Sequence, residues 1–153
     1  MARSNRQLTQ FAVDRIKGHL SLGSVSGLSV AGNTEVAVDE CNCGRPPHLV
    51  VRLFGKEIAR IFLSPSNSRT VAGIALQTGE FHDSKGRPSR TTRERLNGIL
   101  DFLCTAGCFP DGVRVFLGED GSCQLGKGTS SKRFDATNPK VCLLTHPTDL
   151  VFL

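Results

Sequence analysis

Between residues 85 and 95 the chain gathers five cationic side chains, Lys85, Arg87, Arg90, Arg93 and Arg95, with Glu94 as the only acid in that span. Three hydroxyls, Ser89, Thr91 and Thr92, lie among them, just ahead of a run with apolar residues at helical spacing. A helix start presents unpaired backbone amides and a positive partial charge, a setting suited to phosphate or carboxylate. Lys85, Arg87, Ser89, Arg90, Thr91, Thr92, Arg93 and Arg95 are therefore the candidate anion- or partner-binding residues. In the plainer account Thr91 caps its own helix, the arginines form a solvated face, and Glu94 neutralises a neighbour. Asn97, a poor helix former, is expected to hydrogen-bond the neighbouring sheet or loop, with contact to a ligand as the alternative.

Thiols offer a second chemistry. The six cysteines are Cys41, Cys43, Cys104, Cys108, Cys123 and Cys142. Structural zinc takes four tetrahedral ligands, commonly in closely spaced pairs, and Cys41, Cys43, Cys104 and Cys108 would supply them. Their spacing is irregular, and Cys104 falls where a helix places a small buried residue. No metal and no other cofactor is therefore expected. A third chemistry needs two histidines as acid and base: His19-Leu20-Ser21 and His146-Pro147-Thr148 are similar to the paired motifs of 2H phosphoesterases. Helical context at His19 and Pro147 beside His146 both conflict with the paired strands such motifs require. Nothing pairs a histidine with a cysteine nucleophile. Gly118-Glu119-Asp120-Gly121 is an acidic hairpin turn, not a phosphate loop, and Asp111, Glu119 and Asp120 lack EF-hand spacing.

These residues must be positioned by the elements around them. Ser4 and Gln7 have capping-box spacing, and Leu8, Phe11, Ala12, Ile16 and Leu20 share one face, which predicts a first helix. LSVAGNTEVAV reads as a hairpin turning at Gly32-Asn33, with Leu28 and Val30 answering Val36 and Val38. LVVRLFGKEIARIFL reads as two strands turning near Gly55-Lys56. Ser64 to Ser68 reads as a loop, TVAGIALQTGEF as a further strand, and His82 to Pro88 as a polar loop. Thr91 and Glu94 suggest a second capping box, with a helix from about Thr92 to Ala106 burying Leu96, Ile99, Leu100 and Leu103. VRVFLGEDGSCQL reads as a hairpin, residues 126–140 as a flexible loop, and VCLLT as a last strand. The expected fold is α+β: a mostly antiparallel sheet of hairpins packed against two helices, in a single domain spanning 1–153.

The middle of this pattern carries a resemblance. Leu53-Phe54-Gly55-Lys56-Glu57-Ile58-Ala59-Arg60 is followed by Ala75-Leu76-Gln77-Thr78-Gly79, then by Ser89-Arg90-Thr91-Thr92-Arg93-Glu94-Arg95-Leu96-Asn97. Residues 50–103 thereby resemble a widespread group of small phage-encoded proteins of unknown function. That group shares an L-x-G-x-x-I-A strand and an S-x-T-T-x-x-R-L-N helix start. A polar insert, Phe81 to Pro88, precedes the threonine pair here. The resemblance implies a phage accessory role and brings no activity or catalytic residue with it.

Composition fits an ordinary globular chain, with 39% hydrophobic and 22% charged residues. The formal net charge of +5 and pI near 9.1 favour acidic partners. Tryptophan and tyrosine are absent, which argues against base-stacking platforms. No run reaches the apolar length of a membrane span, and MARSNRQLTQF lacks the apolar core of a signal peptide. The expectation is a non-enzymatic phage accessory protein in the host cell cytoplasm. It would bind nucleic acid or the acidic face of a host protein complex, as an inhibitor of host transcription or defence would. A 2H-type phosphodiesterase using His19 and His146, or a zinc-stabilised interaction module, are the alternatives.

Overall fold

Alternation of apolar and polar residues builds an antiparallel meander here, and two amphipathic helices cover one of its faces. The computed structural model describes residues 4–22, 28–39, 48–64, 67–77, 80, 82–83, 85, 87–106, 114–117, 123–127, 130–133 and 141–144. In chain order the elements are α1 (Asn5–Leu22), β1 (Leu28–Ala31), β2 (Thr34–Asp39), β3 (His48–Leu53), β4 (Lys56–Ser64) and β5 (Asn67–Leu76). They are followed by α2 (Arg90–Thr105), β6 (Arg114–Leu117), β7 (Cys123–Lys127), β8 (Ser130–Arg133) and β9 (Val141–Leu144). One sheet has the order β1-β2-β3-β4-β5-β9 and a smaller one the order β6-β7-β8, with every described pairing antiparallel. The expected α+β architecture is thus the one observed. No helix among the described residues is long and apolar enough to cross a membrane.

The start of α1 is the predicted capping box. The Ser4 amide donates to Gln7 Oε1 at 2.8 Å, and the Gln7 amide donates to Ser4 Oγ at 3.2 Å. Leu8, Ala12 and Ile16 are then buried at one-turn intervals. From α2, Leu96, Ile99, Leu100 and Leu103 are all fully buried, as their spacing predicts. Both helices press on the sheet face that carries Val36, Leu49, Val51, Ile61, Ile74 and Leu76. Burying a side chain of this size contributes about 1.5–3 kcal/mol relative to leaving it in water, so this interlayer holds the domain together.

Several local expectations need correction. The first hairpin turns at Gly32-Asn33 as expected, but Ala31 pairs with Thr34, Val30 with Glu35 and Leu28 with Ala37. Residues opposite one another share a face, so Leu28 and Val30 lie on the side away from Val36 and Val38 and are exposed. The β3–β4 turn is Phe54-Gly55, one residue earlier than expected, with φ of 52° and 78°. A two-residue hairpin of type I′ needs positive φ at both positions, which leaves the exposed Phe54 in a conformation glycine or asparagine would hold more easily. Ser64 and Asn67 belong to strands and not to a loop. Within the expected flexible loop of 126–140, Gly126 and Lys127 end β7, and β8 pairs with it from Ser130 to Arg133; 128–129 and 134–140 lie outside the described residues.

Asn97 fastens the smaller sheet to α2. Its Nδ2 donates to the Val115 carbonyl at 2.8 Å, and its Oδ1 accepts from the Val115 amide at 2.7 Å. One side-chain amide thus imitates the neighbouring strand that the β6 edge lacks, and it seats Val115 in the main core. Truncation to alanine leaves both backbone groups unpaired at a half-buried site, a loss of about 1–2 kcal/mol. Hydrogen exchange is expected to quicken at the Val115 amide in Asn97→Ala while the Val50 and Ile74 amides stay protected. Equal protection at Val115 in both proteins would show that the clamp contributes nothing.

Candidate partner-binding surface

Arg95, placed on the surface by the sequence, is the largest fully buried side chain among the described residues. Its Nε donates to Thr34 Oγ1 at 3.1 Å; its Nη1 donates to the Asn5 carbonyl and to Thr9 Oγ1, both at 2.8 Å. Its Nη2 reaches Asn5 Oδ1 at 3.3 Å and Asn33 Oδ1 at 3.4 Å. All five N–H groups of the guanidinium fork therefore find oxygen, and every acceptor is neutral. Burial lowers its pKa from the ordinary arginine value, partly offset by the Glu94 carboxylate. Arg95 is unavailable to a partner; it joins α1, the β1–β2 turn and α2.

That joint also orients the helices. Arg95 meets Asn5 and Thr9, while a side chain at Gly98 would meet Thr9 and Val13. The contacts advance together along both helices, so α1 and α2 run in the same sense and begin at the same end of the domain. Neither has an acidic residue in its first turn. Two positive helix ends therefore converge, with nothing in their first turns to oppose them.

The remaining predicted residues surround this end. Ser89, not Thr91, caps α2: its Oγ accepts from the Thr92 amide at 3.2 Å and donates to Thr92 Oγ1 at 2.9 Å. The helix consequently begins at Arg90, two residues before the expected Thr92. Thr92 is buried by this cap, and only Thr91 of the three hydroxyls stays clear of it. Glu94 closes no capping box with Thr91; it accepts from Arg90 Nε at 2.8 Å across an exposed turn. In the preceding loop, Asp83 Oδ1 accepts from the Lys85 amide at 2.9 Å and the Arg87 amide at 3.0 Å. These bonds, that to Arg87 foremost, hold the Asp83 carboxyl below its usual range and fix the loop that presents Lys85 and Arg87. Arg87 also lies 3.6 Å from Asp83, both side chains well exposed. Arg93 Nη1 is buried with no hydrogen-bond partner among the described residues.

A groove of about 990 Å3 runs from this end between the outer faces of α1 and α2 towards Arg114. Helix geometry places Arg6, Gln10 and Lys17 along one wall and Arg90, Glu94 and Asp101 along the other, with Val13 and Gly98 between them where the helices meet.

Opposite the helices the sheet carries a polar cluster that the sequence did not single out. Arg60 donates to Glu57 Oε1 from Nη2 at 2.7 Å and to Asp39 Oδ2 from Nη1 at 2.8 Å, with His48 Nδ1 at 3.3 Å. The hydrogen bond to Glu57 leads in raising the Arg60 pKa. Gln77 donates to the other oxygen of Glu57 at 3.0 Å. These residues alternate in sequence with buried Leu49, Ala59 and Ile61, which was the available signal for their shared face.

The other candidate sites are only partly visible. Cys104 is a free, half-buried thiol packed against the core; Cys41, Cys43 and Cys108 lie outside the described residues, so the four-cysteine zinc grouping cannot be assembled from them. His19 sits in the last turn of α1, and His146 lies outside the described residues, as do Asp111, Glu119 and Asp120. No protein-family model, curated protein or solved structure matches the chain.

Proposed function

We propose that this protein is a non-enzymatic binding module of the phage accessory kind that its central pattern resembles. It engages an acidic partner in the infected bacterium through the end where both helices start, as an inhibitor of a host transcription or defence complex would. The observation that carries this reading is the convergence of two helix starts free of acidic residues, joined by Arg95. Lys85, Arg87, Arg90 and Arg93 extend the positive field around them. The pairs Arg87–Asp83 and Arg90–Glu94 are exposed and local and hold only weakly in water, so a partner's carboxylates or phosphates can displace the internal acid. Arginine forks suit both groups because they bind in two places at once.

The test replaces Lys85, Arg87 and Arg93 together with serine. Lys85 and Arg87 are exposed, and Arg93, half-buried, makes no hydrogen bond from its buried Nη1 among the described residues, so thermal unfolding should remain cooperative. Retention on heparin, a polyanion, is expected to end at distinctly lower salt, and the difference should shrink as ionic strength screens the charges. A folded triple-serine protein that elutes with the parent would place the acidic contact elsewhere.

A further inference from the structure

We infer that the groove between α1 and α2 seats an amphipathic helix of a protein partner, about three turns long, apolar along one stripe and acidic near both ends of one flank. The inference rests on the proposed acidic partner for its sign of charge and adds the partner's class and its seat. Length comes from α1. Arg6 and Lys17 lie on one stripe, eleven residues apart, which sets their positions about 16 Å apart along the axis. Both are exposed, and neither pairs with an acid among the described residues.

Charge complementarity decides the occupant. The groove's acids are already engaged: Asp14 accepts from Gln10 at 2.8 Å, Glu94 from Arg90 at 2.8 Å, and Asp101 lies 3.8 Å from Arg114. What remains is a cation near each end of the α1 wall, Arg6 and Lys17, against one carboxylate between them, Asp14, that is hydrogen-bonded by a neutral amide. A nucleic-acid backbone carries a negative charge at every residue and would lie against those three carboxylates, whereas a helix with acids only near the two ends of the flank facing α1 would meet Arg6 and Lys17 and keep clear of Glu94 and Asp101. The floor agrees, because Val13, Gly98 and the half-buried Phe102 offer a shallow apolar strip to ridge-into-groove packing and no exposed ring for a base to stack on. Helix-in-groove recognition of this kind reads an apolar stripe at one-turn intervals.

The experiment titrates isotope-labelled protein with three synthetic probes followed by NMR. The first is a helical peptide of about 11 residues with an Ala/Leu stripe and, on one flank, a glutamate near each end. The second has lysine for glutamate, and the third is an oligothymidylate of similar length. The glutamate peptide is expected to move the amides of Gln10, Asp14, Gly98 and Asp101. The Arg6→Glu/Lys17→Glu variant should weaken it about tenfold or more and turn the preference towards the lysine peptide. Shifts elsewhere, indifference to the double reversal, or equal displacement of the groove amides by the oligothymidylate would each overturn the inference, the last in favour of nucleic acid. The triple-serine protein separates the two readings. Its residues are not groove-lining, so loss of heparin retention with no groove binding by the glutamate peptide condemns the groove alone. Groove binding with unchanged heparin retention condemns the helix-start surface alone.

Discussion

Replacement of Arg95 by methionine should cost about 3–5 kcal/mol, the largest loss expected from any single substitution in this domain. Methionine matches the length of the aliphatic stem and none of the donors. Buried ionic groups can sometimes be exchanged for apolar ones without penalty, but that holds when all partners are replaced together. Here the acceptors stay behind: the Asn5 carbonyl, Thr9 Oγ1 and Thr34 Oγ1 would face an apolar side chain in the interior, each losing a bond of 2.8 to 3.1 Å. Two weaker acceptors, Asn5 Oδ1 and Asn33 Oδ1, would lose theirs as well. Lysine retains the charge but offers three donors from one point in place of five from a planar fork, so Arg95→Lys should recover only part of the loss. Denaturant titration gives the comparison, and net stabilities of 5–15 kcal/mol are typical of such domains. A methionine variant within about 1 kcal/mol of the parent would mean that the cage contributes little. Since both helix starts are tied through Arg95, the partner-binding end should lose its order with the same substitution.

Much of this was legible in the residues, and Arg95 shows where legibility stopped. Period-two and period-3.6 patterns carry their own physics, so the meander, the Ser4–Gln7 box and the buried stripe of Leu96, Ile99, Leu100 and Leu103 could be read directly. Arg95 lies three residues after Thr92 and four before Ile99, inside that same stripe. Its charge outweighed its position in the reading, because arginine is rarely buried whole. Burial became possible through neutral oxygens from α1 and the β1–β2 turn, tens of residues away, and no local pattern announces them. Ser89 and Thr91 offer two capping registers differing by two residues, and only the structure selects Ser89. The exposure of Leu28 and Val30 follows from a two-residue turn, where counting strand residues outward from Asn33 would have placed them correctly.

Most of the central pattern, from Leu53 to Asn97, is explained as scaffold. Leu53, Ile58 and Ala59 are buried, Gly55 supplies a positive φ, and Ser89 and Thr92 form the cap. Arg95 fills its cage, and Asn97 clamps Val115. A pattern made of folding requirements can recur among proteins that do different things, which is why function must be sought on side chains that the pattern does not specify: Lys85, Arg87 and Arg93, and the groove walls at Arg6 and Lys17.

The groove in turn depends on how closely its two walls approach, and that distance is set by Gly98. Glycine inside a helix normally lowers stability, and alanine in its place gains about 0.5–1 kcal/mol. At Gly98 the sign should reverse. A Cβ built there would run into Cγ2 of Thr9 across the helix pair, with the Thr9 Cβ 3.7 Å and Val13 Cγ2 3.9 Å away. Thr9 cannot turn aside freely, because its Oγ1 accepts from Arg95 Nη1 at 2.8 Å and its branched Cβ leaves few rotamers. Gly98→Ala should therefore cost about 1–2 kcal/mol, and Gly98→Val, with two further methyl groups and a stiff branch, about 3 kcal/mol. The decisive measurement adds Thr9→Ser. Serine keeps the hydroxyl that Arg95 requires and removes only the offending methyl, so Thr9→Ser/Gly98→Ala should return to near the parent stability while Thr9→Ser/Gly98→Val remains impaired. A double-mutant cycle reports this as a coupling energy of 1 kcal/mol or more, in the range of about 0.5–3 kcal/mol measured for residues in contact. If alanine at Gly98 stabilises the protein as it does in an open helix, or if serine at Thr9 brings no recovery, α1 and α2 do not cross at this point and the groove does not have the width that seats a third helix.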